Sequence, residues 1–356
     1  MQLVASIHRW AGGLIGLLLA LLGLTGALLL WKGAWLRLTV PAEAVVETDP
    51  ATLGALTQNI LAGSTQTPTS IVFANSDIAL HTVRTGADSG FYADANGSAV
   101  ASWDSIWARS EIFLFDLHHH LLVGEAGETV SGIAGLVGLG FIITGLILWW
   151  PTRKTFRLRL WPARMTRPAI VRQHRDMGVI LAPLLFLTML TGVMMTLKPV
   201  AELLLSPFSS AAEMESALEP PKVTAGPADN ADWPRIMAAA QARFPDATIR
   251  IIGLPRKTGD PVAIRLKRPG EWHNNGRTII WFDGATGNLL RAKDALAMPQ
   301  GLQLFNLAYP LHAAKVGGTV YKVVQSIAGL ALALLGSLAV WSFWFRKKGF
   351  SKPIKP

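Results

Sequence analysis

Cysteine is absent from all 356 residues. That excludes thioether-attached haem, iron–sulfur clusters, thiol nucleophiles and disulfides, so any domain outside a membrane must fold without covalent cross-links. Charge is scarce too: 16% of residues are charged, against 51% hydrophobic. No G-x-G-x-x-G, no phosphate-binding glycine loop and no flavin-type strand–helix pattern occurs, which argues against a nucleotide or flavin site. Nothing in the two long connections between apolar runs resembles a catalytic triad or a carboxylate pair, so neither reads as a hydrolase.

What the chain has instead is long apolar runs. Segments 11–31, 130–150, 177–197 and 323–345 each meet the length rule for crossing a bilayer, roughly 20 apolar residues. Gly23, Pro183 and Gly336 inside them are tolerable because neighbouring helices resatisfy the backbone. The first run is longer than the roughly 7 to 15 residues of a signal-peptide core, so it is expected to be retained despite Ala42-Glu43-Ala44, which resembles a processing site.

Basic residues set the orientation. The loop from Pro151 to Arg175 carries Arg153, Lys154, Arg157, Arg159, Arg164, Arg167, Arg172 and Arg175, and the tail carries Arg346, Lys347, Lys348, Lys352 and Lys355. Both are expected in the cytoplasm, with both termini inside and two long connections in the periplasm. The net charge of +10 is then a topological signal at a lipid bilayer, with no nucleic-acid partner implied. The expected fold is a membrane α-helical protein, a four-transmembrane-helix bundle in two pseudo-symmetric halves carrying two small α+β periplasmic domains. Its expected segments are 1–32 (span), 33–126 (first periplasmic domain), 127–150 (span), 151–175 (basic loop), 176–198 (span), 199–310 (second periplasmic domain), 311–346 (span) and 347–356 (tail).

Within the periplasmic segments the pattern predicts helices near 53–61 and 235–244. It predicts strands at 78–84, 90–93, 99–103, 248–252, 262–266, 278–282 and 288–291, with turns at Asp94-Ala95-Asn96-Gly97 and Asp283-Gly284-Ala285-Thr286-Gly287.

An internal repeat carries the functional signal. A shift of 166 residues lays His8-Arg9…Thr25-Gly26 on His174-Arg175…Thr191-Gly192, and a shift of 194 lays Leu117-His118…Gly124 on Leu311-His312…Gly318. Two copies of a two-histidine unit make two matched pairs, the arrangement that six-coordinate haem iron requires. His8 and His174 are expected to ligate one haem b at the cytoplasmic face, with Arg9, Arg172 and Arg175 placed to pair with its propionates. His118 and His312 are expected to ligate a second haem b near the outer surface.

His120 is the reserve ligand in the triplet His118-His119-His120, because only His118 falls on His312; His119 and His120 could line the haem edge or contact substrate. A continuous helix from His118 to Val130 would lift the outer haem roughly 18 Å above the apolar run. His81 and His273 lack repeat counterparts and read as surface histidines, and Met194-Met195 reads as core filler.

The order of these parts resembles the PepSY-associated transmembrane family. It runs His8-Arg9-Trp10-x-Gly12 on a span, an outer domain, Leu117-His118 leading to a span that ends in Trp149-Trp150-Pro151, His174-x3-Gly178 on a span, a second outer domain, then Leu311-His312 and a span. The segment Ile280-Trp281-Phe282-Asp283-Gly284-Ala285-Thr286-Gly287-Asn288-Leu289 resembles PepSY modules. The resemblance covers nearly the whole chain.

It implies an inner-membrane reductase that passes electrons from the cytoplasmic side to a periplasmic ferric siderophore and releases iron, as the ferrioxamine reductase does. The electron donor would be a separate cytoplasmic protein, a small reductant or a membrane quinol. Two other readings stand beside this one. One is a haem-bearing electron-transfer subunit serving a quinone or another periplasmic acceptor, and the other is a non-redox PepSY protein that binds peptides or restrains a protease.

Overall fold

The computed structural model describes residues 1–41, 43, 46–223 and 231–345. The basic tail from Arg346, the loop 224–230, and Ala42 and Ala44 of the processing-site reading lie outside the described residues.

The first half of the chain runs α1 (Gln2–Leu29), α2 (Lys32–Thr39), α3 (Pro50–Gly63), β1 (Ser70–Val72), β2 (His81–Arg84), β3 (Gly90–Ala93), β4 (Ala99–Trp103), α4 (Ser110–His119) and α5 (Gly124–Trp149). The second half runs α6 (Arg167–Thr196), α7 (Lys198–Leu205), α8 (Ala211–Leu218), α9 (Trp233–Arg243), β5 (Thr248–Gly253), β6 (Val262–Lys267), β7 (Thr278–Phe282), β8 (Leu289–Lys293), α10 (Gln300–Phe305), α11 (Ala308–His312) and α12 (Gly318–Trp344). These elements form two compact units. A helical unit comprises Met1–Leu30, His118–Leu197 and Thr319 onward, and a sheet-bearing unit comprises Trp31–Leu117 and Lys198–Gly318.

In the helical unit, α1, α6 and α12, together with α5 and the 3₁₀ turn that extends it, are long and apolar enough to cross a membrane. Large apolar side chains such as Leu14, Leu17, Ile143, Phe186 and Ile327 face outward, while small residues line the helix contacts, the distribution expected when lipid replaces water outside. A Cβ on Gly23 would stand 2.6 Å from the carbonyl oxygen of Gly329, and one on Gly336 would stand 2.2 Å from that of Gly16. Those glycines let α1 and α12 touch backbone to backbone.

Gly132, Gly135 and Gly138 of α5 leave room instead for the side chains of Thr196, Val193 and Met189 of α6. The hydroxyl of Thr188 on α6 lies 3.1 Å from the side-chain amide of Gln325 on α12, and Met177 of α6 packs with Ala331 and Leu335. At one end, Asp176 is fully buried and pairs with Arg159 and Arg175. This ion pair network ties the arginine-rich loop to α6.

The sheet-bearing unit holds one antiparallel sheet of eight strands in the order β4-β3-β2-β1-β5-β6-β7-β8. The two outer segments, expected as separate domains, each supply four strands, and β1 pairs with β5 through Ser70↔Gly253, Ile71↔Ile252 and Val72↔Ile251. The reason lies in strand edges: each half would otherwise leave one edge unpaired, and pairing them removes both. Arg250 fastens the junction, donating to the carbonyls of Phe73 and Ala74 at 2.8 and 2.9 Å.

Helices α3 and α9 cover one face. Each starts on an aspartate cap with proline in its first turn: Asp49 accepts from the amide of Thr52, and Asp232 from that of Arg235. Leu53, Leu56 and Ile60 of α3 and Ile236, Met237 and Ala240 of α9 share one core with Ile71, Ile249, Ile252, Ile264 and Phe282.

His81 and His273, read from sequence as surface residues, are buried, at 1% and 7% exposure. His81 lies on the inward face of β2, accepts the amide of Ala74 at 3.1 Å and meets Phe73 edge-on. Burial, reinforced by Arg250, pushes its pKa down to about 4. His273 stacks on Tyr309 with ring centres 4.9 Å apart, and burial with the cations Arg277, Arg265 and Lys267 lowers its pKa to about 3. Both act as neutral structural imidazoles; their polar sequence neighbours gave no sign of it.

Candidate cofactor and metal sites

His8 lies two turns into α1 and His174 two turns into α6, and the helical unit brings their imidazoles together. The ring centres are 6.2 Å apart with planes at 90°. A metal–imidazole bond is about 2.0–2.1 Å and the ring centre lies about 1.1 Å behind the bonding nitrogen, so two imidazoles on opposite sides of one ion have centres about 6.3 Å apart. The observed spacing fits one ion between the rings and is wide for direct hydrogen bonding.

Neighbouring groups favour one tautomer of His8. Nδ1 of His8 is 2.8 Å from the hydroxyl of Thr144 on α5. That hydroxyl spends its single proton on the carbonyl of Gly140 at 2.7 Å, so it accepts from His8. Nδ1 therefore carries the proton and Nε2 presents a lone pair, the outer-sphere arrangement that orients metal-bound histidines. Phe141 meets the His8 ring edge-on at 5.1 Å, and the His174 ring is directed at the backbone carbonyl of Leu335 on α12.

Both histidines line a cavity of about 720 Å³ within the helical unit, inside the size range of cofactor pockets, about 300–1,000 Å³. Its wall is mostly apolar, with Leu19, Ile142, Leu185 and Met189, and Arg9, Arg172 and Arg175 stand among its polar residues. Gly12 and Gly178, each four residues after its histidine, also line it, and a Cβ on either would meet nothing within 4 Å. The space over these two glycines is open and could take a flat ring system beside the two imidazoles. Arg175 is engaged already: it pairs with Asp176 and donates to the hydroxyl and carbonyl of Thr155 at 2.9 and 3.1 Å.

His118 is seated similarly. Its Nδ1 lies 3.0 Å from the hydroxyl of Thr25 on α1, and that hydroxyl donates to the carbonyl of Leu21 at 2.8 Å. Here too Nδ1 holds the proton and Nε2 the lone pair. A Cβ on Gly26 would come to 3.0 Å from the ring, closer than ordinary van der Waals contact, so glycine lets the imidazole sit against α1. The expected continuous helix to Val130 does not form: α4 ends at His119, and Leu121 and Leu122 reverse the chain with φ of 50° and 64°. His118 consequently packs against the first apolar helix instead of standing a long way above the apolar run.

His312 ends α11 in the sheet-bearing unit, so the helical unit by itself joins His8 with His174 and seats His118. His120, the reserve ligand, lies beside His119, with His119 Nδ1 and His120 Nε2 2.9 Å apart.

Thr144 is the residue the sequence reading missed, though a signal existed. Within the long apolar runs Thr-Gly occurs at 25–26, 144–145 and 191–192, and the first two seat His118 and His8. Gly145, like Gly26, abuts its histidine, with a Cβ there 3.7 Å from the ring. At the position equivalent to 144–145 under the 194-residue shift stand Leu338 and Ala339, and His174 is directed at a backbone carbonyl instead.

Curated proteins offer no match to this chain. A family model does match: the PepSY-associated TM region covers residues 5–347, and this membrane protein belongs to that family.

Proposed function

We propose that the chain is a dihaem b-type reductase of the bacterial inner membrane, carrying electrons from the cytoplasmic side to a periplasmic ferric siderophore. The observation that carries the reading is the 6.2 Å separation of His8 and His174 across a cavity flanked by two glycines. Haem held by two imidazoles has no open position and supplies one-electron transfer.

The residues around it divide the remaining work. Nε2 of His8 and one nitrogen of His174 would hold the iron, and Thr144 keeps the proton on Nδ1 of His8. Arg9 and Arg172 would face the propionates, while Arg175, bound to Asp176, braces the loop. The sequence repeat assigns His118 and His312 to the second haem, with Thr25 fixing the tautomer of His118. In this topology both termini and the arginine loop are cytoplasmic and the strand-rich segments periplasmic. Reduction to Fe(II) weakens iron's bonds to hard oxygen ligands, which frees it from hydroxamate or catecholate chelators.

The test is a reduced-minus-oxidised spectrum with a haem-to-protein ratio on the purified chain, followed by mixing the reduced form with ferric siderophores. Two haems are expected; His8→Ala or His174→Ala should remove one, and His118→Ala or His312→Ala the other. Colourless protein after expression with ample haem would end the reading in favour of a non-redox role. Pigmented protein that ferric siderophores fail to reoxidise would redirect it to a quinone or another periplasmic acceptor.

A further inference from the structure

The turn between α4 and α5 gathers three groups outside the two histidine pairs proposed for haem. Nδ1 of His119 and Nε2 of His120 are 2.9 Å apart, with ring planes at 87°. Nε2 of His119 is 3.9 Å from a carboxylate oxygen of Glu128. One donor atom from each of the three lies within 4.8 Å of the other two.

The backbone builds this grouping. Leu121 and Leu122 adopt left-handed conformations that leucine rarely enters, and Gly124 follows with φ of 63°. The reversal lays the carbonyl of His120 on α5 so closely that a Cβ at Gly127 would sit 1.6 Å from it. Ser131 of α5 donates to the carbonyl of His119 at 3.2 Å. Glu128, in the second turn of α5, is thereby carried beneath the two histidines, and all three side chains are half-buried.

Two imidazoles and one carboxylate, with further positions left open, form the donor set that suits Fe(II) and neighbouring divalent ions. Adjacent donors around an octahedral ion with bonds of about 2.1 Å lie about 3.0 Å apart, whereas a tetrahedral ion needs about 3.4 Å. The separation of His119 Nδ1 and His120 Nε2 equals the octahedral value as well as a hydrogen-bond length, so a cation would replace that contact; one donor atom from each residue, the Glu128 carboxylate included, already lies within 4.8 Å of the others.

We propose that His119, His120 and Glu128 form a site for an octahedral first-row divalent cation. Its occupant under the reductase reading is the Fe(II) that reduction sets free. One electron converts chelated Fe(III) to Fe(II), the chelator's oxygens keep their electron pairs as the iron–oxygen bonds break, and the ion takes two nitrogens, a carboxylate oxygen and water. The cation site stands on geometry alone; only the identity of its occupant rests on the reductase reading.

The test is equilibrium dialysis of the full-length protein against Co(II), an ion of similar preference that resists oxidation, with metal counted by atomic emission. One equivalent should bind, and anaerobically added Fe(II) in excess should compete for the same site, since Fe(II) binds such donors more weakly than Co(II). Glu128→Gln and His120→Gln should each weaken binding at least about tenfold, while Glu125→Gln, at an exposed neighbouring position, and the visible spectrum of every variant stay unchanged. Absence of saturable Co(II) binding overturns the proposal. So does equal binding by Glu128→Gln, the mark of adventitious uptake by imidazoles, and so does loss of a haem band in His120→Gln. Because the metal is added directly, a chain that binds Co(II) yet never reduces a ferric chelate loses the proposed function and keeps the site.

Discussion

Thr25 accepts a hydrogen bond from Nδ1 of His118 at 3.0 Å, and Thr144 does the same for His8 at 2.8 Å. Two threonines on different helices thus hold two histidines in the same tautomer. Thr25→Val and Thr144→Val keep the side-chain shape and remove the acceptor. Each is expected to weaken retention of one haem by about 10–100-fold, read as haem loss to apomyoglobin. Unchanged loss rates in both variants would show that the threonines do not orient the ligands.

Gly178 opens on empty cavity space beside His174. Gly178→Ala should be tolerated with full pigment. Gly178→Phe should exclude one of the two haems while the protein still runs as a monodisperse peak in detergent. Full haem content in Gly178→Phe would mean that the cofactor does not occupy this cavity.

Gly336 is a test of helix packing independent of any cofactor. A Cβ there collides with the backbone of Gly16, which cannot rotate away. Gly336→Val should cost about 1–3 kcal/mol by overpacking, seen as a lower melting temperature in detergent. Substitution at Gly140, where a Cβ would meet nothing within 4 Å, should leave melting unaltered.

His81 supplies a pH prediction. Its folded-state pKa is lowered to about 4 by burial, then by the charge of Arg250, with Asp94 opposing. The unfolded chain takes up a proton near the ordinary value of 6.5, so it binds more protons than the folded chain between these two values. Stability should therefore be flat above that range and fall as pH drops through it, by on the order of 3 kcal/mol for a fully buried group. His81→Asn retains an acceptor for the amide of Ala74 and cannot titrate. Melting curves of the full chain from pH 7 to 4 should show a shallower decline for this variant, the residual slope reflecting His273 among others.

Much of this was legible because the relevant signals are local. Four uninterrupted apolar runs announce four spans. Alternating residues such as Val262, Ile264 and Leu266 announce strands, and the expected strand at 278–282 matches β7. The pairing of His8 with His174 rests on a duplication readable at a fixed offset. What escaped depends on long-range contact. β1 is only three residues long, too short to show a period, yet it joins the two halves of the sheet. The reversal at Leu121-Leu122 hides because leucine gives no turn signal. The burial of His81 follows from strand pairing, which its polar neighbours do not reveal.

The register Ile71↔Ile252 has a bearing on how this molecule could be divided. A fragment ending in the loop between Pro151 and Arg167 would carry one raw ladder of amide and carbonyl groups, and its complement would carry the matching one. Made singly, each fragment should precipitate; made together, they should anneal along that seam into a nicked but complete protein.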